Sequence, residues 1–299
     1  MTTPPTSPPA GATTAVAMPT PTGVSGSSFP NEATVKTLAE YTSLFETKMG
    51  KVPYNFWYRG SGESDYRLEP TLFRHPIKKD IKALLSIEIE LITRFRQRSV
   101  PYLSGQILPD WDLLFLMQHF GVPTRLLDWT ENPYIALYFA LSSARSDYST
   151  GSEVFTKDAA VWVLDPLMWN QHALKHMTYK EGVLSVTDTR IKTYAPVSKN
   201  FDSEEMLNEP VAIYGTHNSP RIVAQRGAFM VFGKETRPAE LTYSDSKYPT
   251  DALLKIVIPK DDIAALALAL LKIGYTDAVV FPDLEGLARE LKRLNGFRR

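Results

Sequence analysis

Residues Gln118 to Ala140, which read QHFGVPTRLLDWTENPYIALYFA, decide the fold of this chain. The segment sets hydrogen-bonding and charged side chains among residues that are otherwise apolar enough to be core. Burying polar groups costs free energy unless they are paired or used. The polar side chains are those of His119, Thr124, Arg125, Asp128, Glu131 and Asn132. We therefore expect the segment to position a polar site inside the domain.

The same segment predicts a strand followed by a helix. Pro123 favours an extended conformation for the residue before it, and residues 126–129 continue as a short buried strand. A helix then begins at Thr130 or Glu131, with Pro133 tolerated in its first turn. The polar residues thus cluster at a strand end and a helix start. Mixed-sheet folds bind ligands at such places, where backbone N–H groups are available to anions.

Composition divides the chain into a tail and one domain. The first thirty of the 299 residues contain no Asp, Glu, Lys or Arg and hold seven of the 22 prolines. Such a segment cannot bury enough apolar surface to become ordered. We predict a disordered tail rich in Pro, Thr and Ser at residues 1–30, followed by a single domain at residues 31–299.

Several classes of site and location are disfavoured by the sequence. The absence of cysteine excludes disulfides, thiolate metal ligands and Cys nucleophiles. The five histidines form no HExxH or comparable set, so no metal is expected, and neither a P-loop nor a GxGxxG motif is present. No apolar run is long enough for a membrane span, so we expect a cytoplasmic protein with no membrane partner. With 33 basic and 33 acidic residues, net charge gives nucleic-acid binding no support and leaves it open.

The remaining pattern predicts an α+β fold with a mixed or antiparallel sheet and flanking helices. Strands gather in the second half of the chain without regular βαβ alternation. Helices are predicted at residues 35–49, 81–95, 110–121, 261–272 and 284–294. Further strands are predicted at residues 56–59, 159–164, 211–214, 222–224, 228–232, 254–258 and 277–281. Residues 170–209 show weak periodicity and are predicted to form a loop-rich insert.

Three separated segments, and the C-terminal ending with them, resemble the bacterial FRG-domain family. The family is named for a Phe-Arg-Gly triplet, which here corresponds to Tyr58, Arg59 and Gly60. The central QHFGVPTRLLDWT segment resembles the family's second signature, and PRIVAQRGAFMVFG at Pro220 to Gly233 resembles a third. The ending LLKIGYTDAVVFPDLEGL is similar to the family's C-terminal hallmark. The resemblance covers roughly Phe56 to Leu287.

The order of these parts is also similar to that of ADP-ribosyltransferases, in which an early-strand Arg anchors NAD and a late-strand group orients the ribose or the nucleophile. The resemblance implies Arg59, Asp128 and Gln225 as catalytic residues, with Asp128 as the working carboxylate because an amide cannot act as a base. The implied nucleotide-binding residues are Tyr58, Gly60, His119, Thr124, Arg125, Trp129, Asn132 and Tyr138. The expected function is a nucleotide-directed, ADP-ribosyltransferase-like use of NAD in a defence or toxin setting, with an unspecified macromolecular acceptor.

Each assignment has a structural alternative. Arg59 could pair with a buried Asp128 instead of binding phosphate. His119 could pack or cap at a helix end, Asn132 could be a helix N-cap, and Tyr138 could belong to the core. The whole domain could equally recognise a nucleotide, a nucleic acid or a protein without catalysis. Binding of NAD without release of nicotinamide would favour that non-catalytic class.

Overall fold

The computed structural model describes residues 29–49, 52–103, 108–149, 151–195, 206–216 and 219–297. Its strands are β1 (Glu32–Thr34), β2 (Trp57–Ser61), β3 (Leu126–Thr130), β4 (Ser146–Asp147), β5 (Val154–Phe155), β6 (Ala159–Leu164), β7 (Leu184–Ser185), β8 (Val211–Tyr214), β9 (Gly227–Val231) and β10 (Leu253–Ile258). Its helices are α1 (Leu38–Met49), α2 (Ile81–Ser99), α3 (Asp110–His119), α4 (Pro133–Ser142), α5 (Pro166–Ala173), α6 (Pro220–Ala224), α7 (Ala239–Asp245), α8 (Ile263–Lys272), α9 (Asp277–Val280) and α10 (Leu284–Leu294).

Eight strands form one mixed sheet in the order β1-β10-β6-β2-β3-β9-β8-β7. The outer pairs β1–β10 and β7–β8 are parallel, and the central pairs are antiparallel. The predicted α+β class with a mixed sheet is confirmed. In the centre, β2 pairs with β6 over five residues but with β3 only through Tyr58 and Thr130. The strands β2 and β3 therefore separate beyond this pair.

Both faces of the sheet are covered by helices. Successive side chains of a strand point to opposite faces, so Trp57 and its neighbour Tyr58 belong to two different hydrophobic clusters. The Trp57 cluster contains residues of α2, α3, α5 and α7, whereas the Tyr58 cluster contains residues of α1, α4 and α8. All six residues of β6 are buried, as expected for a strand enclosed on both faces.

Two glycines bring β2 and its following turn into direct contact with α4. A Cβ atom added at Gly60 would lie 2.0 Å from the carbonyl oxygen of Ala136, and one added at Gly62 would lie 2.0 Å from that of Ser143. No real Cβ atom tolerates such distances, so only glycine allows the helix to approach this closely. The third residue of the Tyr58-Arg59-Gly60 triplet thus has a packing role, and it fixes α4 beside Arg59.

Most predicted elements are confirmed, but two predicted strands are helices. Residues 222–224 lie in α6, because the Ser219 side chain accepts a hydrogen bond from the Ile222 backbone N–H and Pro220 occupies the first turn. Residues 277–280 form α9. The predicted loop-rich insert also contains regular structure, since α5 extends through residue 173 and a 3₁₀ helix spans Thr189–Tyr194.

The predicted start of α4 shifts. The helix begins at Pro133 with Asn132 as its N-cap, and not at Thr130 or Glu131, whereas α3 begins at Asp110 as predicted. Of the predicted tail, residues 1–28 lie outside the described residues. Phe29 is partly buried and packs edge-on against Trp162, with ring centroids 5.1 Å apart.

No helix in the described part of the chain is long and apolar enough to cross a membrane.

Candidate functional site

A cleft of about 300 Å³ opens where β2 and β3 separate. Its walls come from β2, β3, the end of α3, the end of α4, α6 and the start of β9. The three predicted catalytic residues, Arg59, Asp128 and Gln225, all line it. Four of the predicted nucleotide-binding residues line it as well, namely Tyr58, Gly60, His119 and Trp129.

Arg59 lies between the separated strands as a half-buried cation. Its Nη1 donates a hydrogen bond to the backbone carbonyl of Asp128 at 2.6 Å, and not to the Asp128 carboxylate. No carboxylate lies within 4 Å of the guanidinium among the described residues. Burial lowers the pKa of Arg59, while the charge of Asp128 opposes that effect. Arginine still stays protonated at neutral pH, so most of its donors are available to an anion in the cleft.

The Asp128 carboxylate is held by a short relay of side chains. The Thr124 hydroxyl donates to Oε1 of Gln118 at 2.5 Å, which fixes the orientation of the amide. Gln118 Nε2 then donates to Oδ2 of Asp128 at 2.6 Å. Thr124 is fully buried and also accepts the Leu126 backbone N–H, so the relay is anchored in the core. Asp128 therefore presents an exposed, oriented carboxylate to the cleft.

Gln225 ends α6 and reaches the cleft through a turn that is bound to β3. The Thr130 hydroxyl donates to the Gln225 carbonyl, and the Glu131 backbone N–H donates to the Arg226 carbonyl. Arg226 has a φ of 46°, an uncommon left-handed conformation for a residue other than glycine. The Gln225 amide itself donates to the Val280 carbonyl at 3.1 Å. Gln225 is thus a residue of a helix end and not of a late strand, and one of its donors is already engaged.

His119 and Arg221 complete the ionisable lining of the cleft. Neither ring nitrogen of His119 makes a hydrogen bond to the described residues. Burial lowers the pKa of His119 below its ordinary value, Arg221 adds to this effect, and Asp128 and Asp283 oppose it. The imidazole is therefore neutral at neutral pH and can donate through one nitrogen and accept through the other.

Arg125 is not in the cleft. It is fully buried, and its Nε donates to both carboxylate oxygens of Glu88 at 2.9 and 3.0 Å. Its two Nη atoms donate to the backbone carbonyls of Phe232, Tyr194 and Ala195. Every part of the guanidinium is engaged, so Arg125 joins α2 to the sheet and to the chain around Tyr194. The proposed ligand contact is replaced by a structural one.

Three other predicted nucleotide-binding residues also lie outside the cleft lining. Thr124 acts through Gln118, as described above. Asn132 is the N-cap of α4, and its Oδ1 accepts the backbone N–H groups of the first helical turn. Tyr138 is buried, with its hydroxyl donating to Asp277 at 2.5 Å. The capping and core alternatives considered for Asn132 and Tyr138 match these positions.

The aromatic residues of β2 and β3 offer little open ring surface to the cleft. Trp57 and Tyr58 are fully buried and Trp129 nearly so, so none offers an open ring face. The indole N–H of Trp129 is buried without an acceptor among the described residues. Phe139 of α4 also lines the cleft and is only partly buried. It is the ring best placed to contact a planar group.

Sequence reasoning missed nine lining residues, and all of them except Phe115 and Ser143 stand inside the quoted motifs. These are Phe115, Gln118, Thr130, Phe139, Ser143, Arg221, Ile222, Gly227 and Phe229. Gln118 is the first residue of the central motif and Arg221 is the second residue of the third, so both stand at the start of a quoted motif. No group of three or more His, Asp or Glu side chains in the described part of the chain could hold a metal ion.

Comparison with known proteins gives one match. The family described as "FRG domain" matches residues 54–149, which contain β2, α2, α3, β3 and α4. The matched span supplies Arg59, Gln118, His119 and Asp128 to the cleft, whereas Arg221 and Gln225 lie beyond it. No curated protein and no solved structure matches the chain. The early triplet and the central motif are both inside the matched span, and the chain therefore carries an FRG domain.

Proposed function

We propose that the cleft binds an anionic nucleotide and that NAD is the substrate, in ADP-ribosyltransferase-like chemistry. The observation that carries the proposal is the half-buried Arg59 guanidinium, which faces the same cleft as an oriented Asp128 carboxylate and lacks a carboxylate partner among the described residues. Such a guanidinium suits the bidentate recognition of a phosphate. A cleft of about 300 Å³ is at the lower end for small-molecule sites, so it would enclose one part of a dinucleotide.

The chemistry assigns a role to each group. The bond between nicotinamide and ribose breaks, its electron pair leaves with nicotinamide, and the ribose carbon becomes cationic. Asp128 would stabilise that positive charge, and an acceptor or water would then add at the carbon and lose a proton. Neutral His119 is a candidate for receiving this proton. Arg59 would hold the diphosphate so that the ribose stays beside Asp128.

NAD binding and nicotinamide release test the proposal on the same protein. Wild-type protein should show a thermal shift with NAD and should release nicotinamide. Asp128→Asn keeps nearly the same shape, so it should retain the thermal shift and lose the release. Arg59→Lys should keep the fold and weaken NAD binding by about 1.5–3 kcal/mol, the scale of a charge-assisted hydrogen bond.

Arg94→Lys is a matched control, because Arg94 lies on an exposed face of α2 and its one ion pair among the described residues is with Glu90. It should leave NAD binding unchanged. If Arg59→Lys lowers the melting temperature and leaves NAD binding unaffected, Arg59 is a structural residue and the proposal fails.

A non-catalytic recognition module is the second candidate. It is favoured by Gln225, whose amide is engaged with the Val280 carbonyl and which has no carboxylate to offer at this position. In that case NAD, or another nucleotide, would bind without release of nicotinamide. The defence or toxin setting follows only from the family resemblance. Growth arrest on expression of the wild type, absent with Asp128→Asn, would support it.

A further inference from the structure

We infer that Arg221 is a second phosphate-binding residue, so that the cleft accepts a diphosphate with one phosphoryl group on Arg59 and the other on Arg221. The inference rests on the proposed function in that it names the substrate class of the same cleft. It predicts that ligands with two linked phosphates, such as nucleoside diphosphates and dinucleotides, are preferred over monophosphates.

Arg221 is held in place by packing and not by an ion pair. It lies in α6, which Ser219 caps, and its Cζ lies 4.5 Å from the centre of the Phe281 ring. The side chain is half-buried and lines the cleft. Within the residues that the structure describes, it makes no hydrogen bond and has no carboxylate within 4 Å. This cation–π contact holds the guanidinium itself against the ring and leaves its N–H donors for a ligand.

Arg289 shows what the same ring does for an arginine outside the cleft. Its Cζ also lies 4.5 Å from the Phe281 ring centre, but its Nη2 donates to Glu285 at 2.6 Å. Arg289 is absent from the cleft lining. The two arginines therefore share the aromatic contact and differ in their polar partners. Only the one that faces the cleft has no carboxylate bound to it.

The charges of the cleft favour a ligand with more than one negative charge. Its walls carry two arginines and one carboxylate, that of Asp128. Burial lowers the pKa of Arg221 and the nearby charge of Arg289 adds to this effect, whereas Asp283, Glu285 and Asp128 oppose it without contacting the guanidinium. A half-buried cation without a bound counter-ion is costly, so a phosphate that displaces water there gains a charge-assisted hydrogen bond. A single phosphate can satisfy one guanidinium, whereas a diphosphate offers a group to each.

Inorganic pyrophosphate and inorganic phosphate are the probes, measured by calorimetry at low ionic strength on the full chain. Wild-type protein should bind pyrophosphate about tenfold or more tightly than phosphate. Arg221→Gln should lose that preference, and Arg221→Lys should be intermediate because it keeps the charge but not the bidentate fork. Arg289→Gln should bind pyrophosphate within about twofold of wild type. Melting curves for each variant show that the fold is retained.

The outcomes separate this inference from the proposed function. If pyrophosphate binding depends on both Arg59 and Arg221 while NAD is not cleaved, the diphosphate site stands and the enzyme proposal fails. If Arg221→Gln binds pyrophosphate as wild type does, the inference is overturned whatever happens to NAD. The same conclusion follows if wild-type protein binds pyrophosphate no better than phosphate, or if Arg289→Gln weakens pyrophosphate binding as much as Arg221→Gln.

Discussion

Two arginines of the sequence motifs, Arg59 and Arg125, show how one residue type serves opposite purposes. Arg125 is fully buried and bound on every side, whereas Arg59 is half-buried and makes one hydrogen bond to a backbone carbonyl. The difference is set by Glu88, whose carboxylate on α2 meets Arg125 and is itself fully buried. A buried charge with a matched partner is structural, and an accessible one without a partner is available for binding.

Removing the Arg125 charge should therefore destabilise the protein and leave its affinity for NAD unchanged. Arg125→Met leaves the Glu88 carboxylate buried without its partner, which costs about 3–5 kcal/mol. Urea unfolding measures the loss, with Arg94→Met on the exposed face of α2 as the control, expected within about 0.5 kcal/mol of wild type. If the Arg125→Met protein has wild-type stability but no longer binds NAD, then Arg125 is a ligand-binding residue and not a structural one.

His119 should make the stability of the protein depend on pH below its ordinary pKa of about 6.5. Its pKa is lowered in the folded state, first by burial and then by Arg221. As pH falls, the unfolded chain takes up the proton before the folded protein does, so the folded state loses stability progressively. At pH values well above 6.5 both states are neutral and the contribution is constant.

His119→Gln removes this titration. The difference in unfolding free energy between wild type and His119→Gln should be constant near pH 8. It should shift against the wild type as pH falls from about 6.5. A difference that stays constant down to pH 5 would show that the ring titrates alike in both states.

At the scale of elements, the contact between β2 and α4 sets the shape of the cleft. Gly60→Ala would put a Cβ atom 2.0 Å from the Ala136 carbonyl oxygen and 2.5 Å from the Ala140 nitrogen. The helix must move away, at a cost of about 1–3 kcal/mol, and it carries the cleft residues Phe139 and Ser143 with it. Stability and NAD affinity should therefore fall together. Gly182→Ala is the control, because nothing lies within 4 Å of its Cβ position.

A Gly60→Ala protein that melts like the Gly182→Ala protein would mean that α4 can shift without cost. In that case the glycine of the family triplet would need another explanation than helix packing.

How far the sequence predicts these elements depends on how local their causes are. The strand at residues 126–129, the helix after it and β6 are specified by apolar runs and helix-start residues close to them. The strand predicted at residues 222–224 is a helix, because the Ser219-Pro220 helix start lies directly before the apolar residues Ile222 and Val223. The strand predicted at residues 277–281 is also a helix, for a different reason. Their short helix is bound from a distance, through Asp277, by Tyr138 and Arg293.

The candidate site shows the same limit. Arg59, Asp128 and Gln225 could be named from their motifs, and they line one cleft. The ion pair that buries Arg125 could not be predicted, because its partner Glu88 lies 37 positions away and no local pattern links the two residues. The sequence assigns no role to Arg221, although it lies inside a quoted motif. Its suitability for binding an anion rests on having no carboxylate partner among the described residues, which only the structure shows.

At the scale of the molecule, the FRG match covers only part of the architecture that makes the cleft. Within the sheet, β2 is hydrogen-bonded to β6 and β3 is hydrogen-bonded to β9, and both of these partner strands lie beyond residue 149. A fragment of residues 54–149 would leave two edges of central strands unpaired and would lose the α8 packing on α4. We expect it to lack a cooperative unfolding transition, as judged by near-UV circular dichroism during heating, whereas the full chain shows one. A cooperative transition in the fragment would mean that the matched span folds alone.

The N-terminal boundary of the folded unit should lie at residue 29. The uncharged, Pro-rich composition of residues 1–28 gives little apolar surface to bury, so their deletion should leave the melting temperature nearly unchanged. Deletion through residue 30 also removes Phe29, whose ring packs against Trp162 at 5.1 Å and Tyr243 at 5.3 Å. Losing that burial costs about 1–2 kcal/mol, or a few degrees in melting temperature. Phe29→Ala in the full chain should reproduce the loss. If deleting residues 1–28 alone lowers the melting temperature as much, the tail itself stabilises the domain and the predicted boundary is wrong.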